Sequence, residues 1–343
     1  MKNIYKILSI LIISINYFTI SKAQEIPSSF ADLAERLMPS VVNISTTTTV
    51  TTRSNPLPFE FPPGSPFEDM FGSPQQRQTS ALGSGFIIDE EGIVITNNHV
   101  IQGASDIFVR VNGDEDYKAE VLGADAGMDI AVLKIKSDEK FKPVKFGNSD
   151  KSRIGDWVIA IGNPFGLGGT VTAGIISARN RSIGLSRYED YIQTDASINQ
   201  GNSGGPLFNM NGDVIGINTA ILGQSGSIGI GFAIPSNSAQ KVIEQLIEFG
   251  ETKRGWLGVR IQVVDQGIAD AEKLDKPRGA LVASVADNSP SDKGGIKPGD
   301  IILEFDGKPI NEMKELPKIV AETDVGKKVI VKVWRNKREI TKE

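Results

Sequence analysis

The 343-residue sequence contains no cysteine and only one histidine, His99. The first absence excludes disulfides, thiolate catalysis and cysteine-based metal sites. The second excludes a histidine-rich metal centre, so no metal is expected. Basic residues are in deficit, 37 Lys and Arg against 42 Asp and Glu, and they are dispersed. Nucleic acid is therefore not expected as a partner. Long apolar runs are also missing. The nearest candidate, Ile7 to Ile20, spans 14 residues, and a bilayer needs about 20. It follows Lys2 and Lys6 and precedes Ser21-Lys22-Ala23, the pattern of a signal peptide over residues 1–23 cleaved after Ala23. The alternative is an uncleaved anchor, weakened as a span by Ser9, Ser14 and Asn16, and only then is membrane association expected. Removing Lys2, Lys6 and Lys22 leaves 34 basic against 42 acidic residues, a net charge of about -8.

What is present suffices for two or three domains, with 39% hydrophobic residues to fill their cores. Phe30 to Val42 suits a short helix followed by a strand, and the Thr-rich run Asn43 to Thr52 suits a strand. Ser54 to Ser80 interleaves Pro56, Pro58, Pro62, Pro63, Pro66 and Pro74 with Phe59, Phe61, Phe67 and Phe71. Proline removes backbone donors, so this stretch reads as a long loop and not as sheet. Its aromatic residues suit docking onto another surface; a disordered insertion is the plainer alternative. From Leu82 to Pro235 short strand patterns alternate with turn residues, among them Ile107–Val111, Val132–Ile135, Trp157–Ile161 and Val214–Ile217. Such a series suggests barrels or sandwiches. Ser236 to Phe249 places Ala239, Val242, Ile243, Leu246 and Ile247 at helical spacing, and Gly250 ends the helix. Residues 251–254 read as a linker.

The most informative run is Gly201-Asn202-Ser203-Gly204-Gly205-Pro206-Leu207. A serine hydroxyl needs a base before it attacks a carbonyl. Small flanking residues let the backbone turn tightly and aim its N–H groups at one point. His99 is the one available histidine base. Asp129, at the start of an apolar strand-like run, can orient it. Each residue alone has a plain structural reading: a solvated histidine, a turn aspartate, a loop serine. Together, in the order His99, Asp129, Ser203, they form a Ser-His-Asp set in the order used by chymotrypsin-like proteases.

The motifs carry a resemblance. Gly83–Ile88, Thr96-Asn97-Asn98-His99-Val100, Asp129–Lys134, Gly162-Asn163-Pro164-Phe165-Gly166, Gly201–Leu207 and Gly229–Pro235 together resemble an HtrA-family serine protease of the DegP/DegQ type, from about residue 30 onward. The resemblance implies a mainly β fold: a chymotrypsin-like double β-barrel over residues 24–250, with the cleft between barrels holding the site, then an α+β PDZ domain over 254–343. It implies that the N–H groups of Gly201 and Ser203 form the oxyanion hole and that no cofactor is needed. It puts Ser197 at the floor of the substrate pocket, followed by Ile198, with Ile221 and Leu222 as walls. An uncharged pocket favours cleavage after Val, Ala or Ile. Trp256-Leu257-Gly258-Val259 resembles the carboxylate-binding loop of a PDZ domain, with Leu257 and Val320 placed to accept an apolar terminal side chain. Ser291 and Gly294 stand where such domains commonly have alanine. The activation loop would be Arg179 to Tyr191, with Arg181 as its sensor.

The function implied is a periplasmic endopeptidase of unfolded or misfolded envelope proteins, built as a homotrimer or a trimer-based assembly. Its partners would be peptide substrates and their free C-termini. Two other readings compete. One is a membrane-tethered regulatory protease, which the apparent cleavage site opposes. The other is a chaperone or peptide-binding protein with little proteolysis, which the intact set of Ser203, His99 and Asp129 opposes.

Overall fold

The computed structural model describes residues 27–52, 75–112, 115–163, 169–184, 188–199, 201–221 and 228–343. The expected signal peptide and residues 53–74 of the proline-rich stretch lie outside the described residues.

A short helix α1 (Ala31–Leu37) leads into the first closed six-stranded barrel. Its strands are β1 (Val41–Thr52), β2 (Gln75–Ile87), β3 (Ile93–Thr96), β4 (Asp106–Val111), β5 (Glu115–Asp125) and β6 (Ile130–Ile135), with the single-turn helix α2 (Asn98–Ile101) after β3. They close in the order β1-β2-β3-β6-β5-β4. The second closed barrel comprises β7 (Trp157–Gly162), β8 (Thr170–Arg181), β9 (Tyr191–Thr194), β10 (Pro206–Phe208), β11 (Val214–Ile221) and β12 (Gly231–Pro235), in the order β10-β11-β12-β9-β8-β7.

One expectation is corrected here. Gln75 to Ser80 pair as strand with Thr47 to Thr52, so the stretch read as loop is sheet over its last residues. The physical reason is the end of the proline series at Pro74, beyond which every amide can donate.

The runs in these strands are apolar on consecutive residues because both faces are buried. In β3, Ile93 and Ile95 join a cluster shared by the two barrels, whereas Val94 fills the first barrel. In β7, Ile159 and Ile161 face the shared cluster, whereas Val158 and Ala160 fill the second barrel. The helix α3 (Ser236–Phe249) seals that shared cluster with Ala239, Val242, Ile243 and Leu246, and Gly250 ends it at φ 75°.

The C-terminal part is a six-stranded sheet: β13 (Val259–Val263), β14 (Ala280–Val285), β15 (Ile301–Phe305), β16 (Lys308–Pro309), β17 (Val331–Arg335) and β18 (Arg338–Lys342). Three short helices accompany it, α4 (Gln266–Glu272), α5 (Pro290–Lys293) and α6 (Glu315–Ala321). Val282, Val331 and Val333 pack under Leu316 and Val320 of α6. The helix around Ser291 and Gly294 is α5, one turn long, capped by the Ser289 hydroxyl accepting from Asp292 N–H at 3.2 Å. Among the described residues no helix is long and apolar enough to cross a membrane.

The linker is fastened to the first barrel. Arg254 meets the buried carboxylate of Asp125 at 2.6 Å, and Thr252 Oγ1 and Met128 N–H also donate to it. Burial pushes this carboxyl up, but those donors outweigh it and hold it below its ordinary 3.8. Its folded value is depressed, so its stabilisation is full above the unfolded value and is lost as pH falls through the folded one. Arg254→Ala strands that buried charge. We expect a loss of about 2–3 kcal/mol near neutral pH, measured as a lower denaturant midpoint, with wild type and variant converging in acid below about pH 4.

Candidate active site

Ser203 lies in the turn between β9 and β10. Within this turn the amides alternate in use. Asn202 N–H donates to Asn199 O at 3.0 Å, Gly204 N–H to Asn218 O at 2.8 Å, and Gly205 N–H to Asn202 O at 3.0 Å. The amides of Gly201 and Ser203 have no acceptor among the described residues. Left-handed φ values of 98° at Gly201 and 84° at Gly204 produce this alternation, and only glycine adopts them without strain.

His99 stands on α2. Its Nδ1 is 2.6 Å from Asp129 Oδ2, and its backbone N–H donates to Asp129 Oδ1 at 2.8 Å. Asp129 has φ 56°, a conformation costing a non-glycine residue roughly 1 kcal/mol. Four donors hold it there. Two are the His99 groups, and two act on its carbonyl, Asn98 N–H at 3.2 Å and Asn97 Nδ2 at 2.7 Å. The His99 side chain is about half exposed, and its outer nitrogen has no hydrogen-bond partner among the described residues. Among the described residues no hydrogen bond joins Ser203 Oγ to the imidazole.

His99 and Asp129 come from the first barrel and Ser203 from the second. A buried polar seam joins them. Ser84 N–H donates to Ser203 O at 2.9 Å, the Ser84 hydroxyl donates to Gly201 O, and Asn163 N–H donates to Ser84 Oγ at 2.8 Å. Asn43 Nδ2 reaches Asn163 O at 2.8 Å, and Asn97 Nδ2 reaches Thr219 Oγ1 at 3.1 Å. Sequence reasoning assigned no role to Ser84, Asn97, Asn43 or Thr219. Their one signal is a polar residue set within or beside an apolar strand run.

The pocket residues are placed unequally. Ser197 is exposed, and its carbonyl accepts from Thr172 Oγ1 at 3.0 Å and Asn202 Nδ2 at 3.3 Å. Ile198 corrects the expectation: it is 1% exposed and packs in the second barrel with Val158, Leu207 and Ile215. Its side chain alternates away from Ser197 and into the core. Ile221 ends β11 opposite Gly231, and Leu222 lies outside the described residues. Arg179 to Arg181 also differ from expectation. They belong to β8, because the strand continues until Arg181 pairs with Tyr191, so the loop proper is 182–190. Arg181 Nε donates to Gln193 Oε1 at 3.1 Å. Within the loop, Glu189 accepts from Ser182 Oγ at 2.8 Å and Gly184 N–H at 2.7 Å.

In the C-terminal part, Trp256 is exposed, Leu257 half-buried, and Gly258 takes φ 80°. Their carbonyls are engaged, Leu257 O by Ser291 N–H at 3.1 Å and Gly258 O by Ala286 N–H at 2.8 Å. The amides of Leu257 and Gly258 have no acceptor among the described residues. Val259 then opens β13, the edge strand of its sheet. Val320 is 8% exposed, and so lies mostly within the core. Two contacts tie this part to the 182–190 loop: Lys318 of α6 pairs with Asp190, and the Arg254 guanidinium lies 4.6 Å from the Tyr188 ring centroid. Cavities of about 470 and 720 Å³ flank that junction.

Residues 83–217 match the trypsin-like peptidase domain family, and residues 255–343 match the PDZ domain family. These matches, the double barrel and the sheet domain define a trypsin-like serine peptidase joined to a PDZ domain. A probable periplasmic serine endoprotease DegP-like from Marinomonas sp. (strain MWYL1) is 48% identical over 327 residues, 91% of this chain and 70% of that one. One from Brucella suis biovar 1 (strain 1330) is 44% identical, covering 91% of this chain and 67% of that one. Among solved structures, an HtrA-type protease AlgW with decapeptide superposes with a TM-score of 0.74 at 42% identity, covering 92% of this chain and 97% of that one. The serine endoprotease from Yersinia pestis gives a TM-score of 0.63 at 35% identity, covering 93% and 97%. The chain belongs to the HtrA-type, DegP-like periplasmic serine endoproteases.

The seam sets a test. A Cβ on Gly204 would fall 2.2 Å from Ser84 O and 2.3 Å from Thr96 Oγ1, and the φ there is left-handed. Gly204→Ala is expected to cost about 3 kcal/mol and to abolish turnover. Gly155, at φ 94° with nothing within 4 Å, is the control. Gly155→Ala carries backbone strain alone, about 1 kcal/mol. Thermal melts and a peptide assay on both variants check the contrast.

Proposed function

We propose that the serine endopeptidase activity of this chain is carried by Ser203, His99 and Asp129 and directed at unfolded or misfolded exported proteins. The observation that carries this reading is one cleft presenting three things. They are a His99–Asp129 pair at 2.6 Å, a serine on the facing barrel, and the amides of Gly201 and Ser203 with no acceptor among the described residues. With Nδ1 bound to Asp129, Nε2 of His99 is the nitrogen left to accept a proton. It takes the Ser203 proton as Oγ attacks the scissile carbonyl, and Asp129 stabilises the imidazolium. The carbonyl oxygen becomes an oxyanion held by Gly201 and Ser203 N–H, each donor supplying on the order of 3 kcal/mol. The imidazolium then protonates the leaving amine, and water repeats the sequence on the acyl-enzyme.

In this reading residues 1–23 direct export to the periplasm and are removed. Residues 24–250 form the protease and 254–343 the PDZ domain. The protein works as a homotrimer or trimer-based assembly, as the resemblance implies. Ser203→Ala is expected to abolish digestion of an unfolded protein without changing the melting temperature. The losses in His99→Ala and Asp129→Ala should not add to it. Wild-type cut sites, mapped by mass spectrometry, are expected after Val, Ala and Ile. A map dominated by Lys and Arg overturns the pocket reading, and undiminished cleavage by Ser203→Ala overturns the nucleophile.

Peptide capture supplies regulation. The acceptor-free amides of Leu257 and Gly258 suit a terminal carboxylate, and the edge of β13 suits an added strand. Occupancy beside α6 reaches the 182–190 loop through Lys318 and Asp190, a shift between two states that requires different affinity for each. A C-terminal apolar peptide added in trans is expected to bind and to raise hydrolysis of a small chromogenic substrate. Saturated binding without rate enhancement leaves substrate tethering in place of activation. Absence of binding in calorimetry removes both.

A further inference from the structure

The geometry points to Ser84 as the residue that positions the oxyanion hole. This rests on the reading that Gly201 and Ser203 amides receive the oxyanion. Ser84 sits on β2 of the barrel opposite the nucleophile and is 0% exposed, so it touches no substrate. It nevertheless holds the carbonyls of both hole residues, Gly201 O through its hydroxyl and Ser203 O through its N–H. The direction of the hydroxyl is set from outside: Asn163 N–H occupies Ser84 Oγ as acceptor at 2.8 Å, and the one hydroxyl proton goes to Gly201 O. Thr96 Oγ1 anchors the Ser84 carbonyl at 2.7 Å.

The consequence follows from peptide planarity. The 201–202 peptide is held at both ends, its carbonyl by the Ser84 hydroxyl and its N–H by Asn199 O. The 203–204 peptide is held likewise, by Ser84 N–H and by Asn218 O. Gly201 has no side chain to resist rotation, and at φ 98° its amide would swing if the plane on its far side were loose. The Ser84 hydroxyl fixes that plane. Donors fixed before the reaction stabilise the developing charge without reorganising. A buried hydroxyl 117 residues away in sequence thus holds the Gly201 donor in place.

The test uses the full chain as wild type, Ser84→Ala and Ser84→Cys. Four quantities are measured: kcat and KM on a chromogenic peptide, inhibition by a peptide boronate that forms a tetrahedral adduct on Ser203, active sites titrated with a fluorophosphonate, and the melting temperature. In Ser84→Ala, kcat per titrated site is expected to fall about 10- to 100-fold, with KM within about threefold. Boronate binding should weaken in step with kcat/KM. Ser84→Cys, a weaker donor of similar size, should fall between and carries the test if the alanine variant does not fold. A purely structural role would lower the melting temperature or the titratable fraction while leaving kcat per site and boronate affinity unchanged, and that result overturns the proposal. A crystal structure of the wild-type boronate adduct separates the two layers. An adduct oxygen away from both amides overturns the hole reading and Ser84 with it. An oxygen on both amides, with unchanged inhibition of Ser84→Ala, overturns Ser84 alone.

Discussion

The polar seam between the barrels is the constraint on which the site depends. The apolar cluster shared by the barrels supplies most of the attraction, but burial of apolar surface is non-directional and tolerates sliding. The seam does not. Ser84, Thr96, Asn97 and Asn218 are each 0% exposed, and a polar group left unpaired there costs on the order of 1–3 kcal/mol. One register of the two barrels pairs Ser84 with Gly201, Ser203 and Asn163 and lets Asn97 Nδ2 donate across to Thr219 Oγ1, leaving Asn97 Oδ1 as a buried acceptor without a partner among the described residues. That register also sets the Ser203 turn against the segment that carries His99. Apolar contact brings the halves together, and hydrogen-bond matching decides where they stop.

The same division of labour operates inside the first barrel. Asp129 takes a left-handed backbone that its residue type disfavours, at a turn where β5 hands over to β6. It persists because four donors from Asn97, Asn98 and His99 converge on its carbonyl and carboxylate. Strain of this kind survives where surrounding structure over-determines it. Fixing His99 through both its backbone N–H and its ring leaves the imidazole little freedom to rotate away, so His99 and Asp129 form one rigid unit.

Much of this was legible in the sequence where the signal was local. Consecutive apolar residues in β6, β7 and β11 marked strands, which the structure buries on both faces. The period of Ala239, Val242, Ile243 and Leu246 marked α3, and Gly250 marked its end. Three features were not legible, each for a physical reason. Gln75 to Ser80 are polar and show no alternation, so nothing local distinguishes the start of β2 from the loop before it. The resemblance singles out Ser197 as a backbone position. It cannot say which way the next side chain turns, and Ile198 turns into the core. The seam is the clearest case. Ser84 and Gly201 lie 117 residues apart, and a serine between two glycines looks like a turn until the fold brings its partners to it.

The junction of the PDZ domain with the barrels rests on the same logic of few, directional contacts. Helix α6 contributes Leu316 and Val320 to its own core and turns Lys318 outward to Asp190. The linker arrives beside it: a Cβ on Gly255 would lie 2.2 Å from Val320 O, so the chain passes directly against the helix end. One residue earlier, Arg254 lies over Tyr188 and binds Asp125, four positions before Asp129. Loop, linker and helix therefore meet within a few residues of Asp129, the partner of His99. Cavities flank this junction, whereas buried hydrogen bonds from Ser84 tie the two barrels together. The contacts at the loop are thus few and directional, whereas those around Ser84 are buried and shared by both barrels.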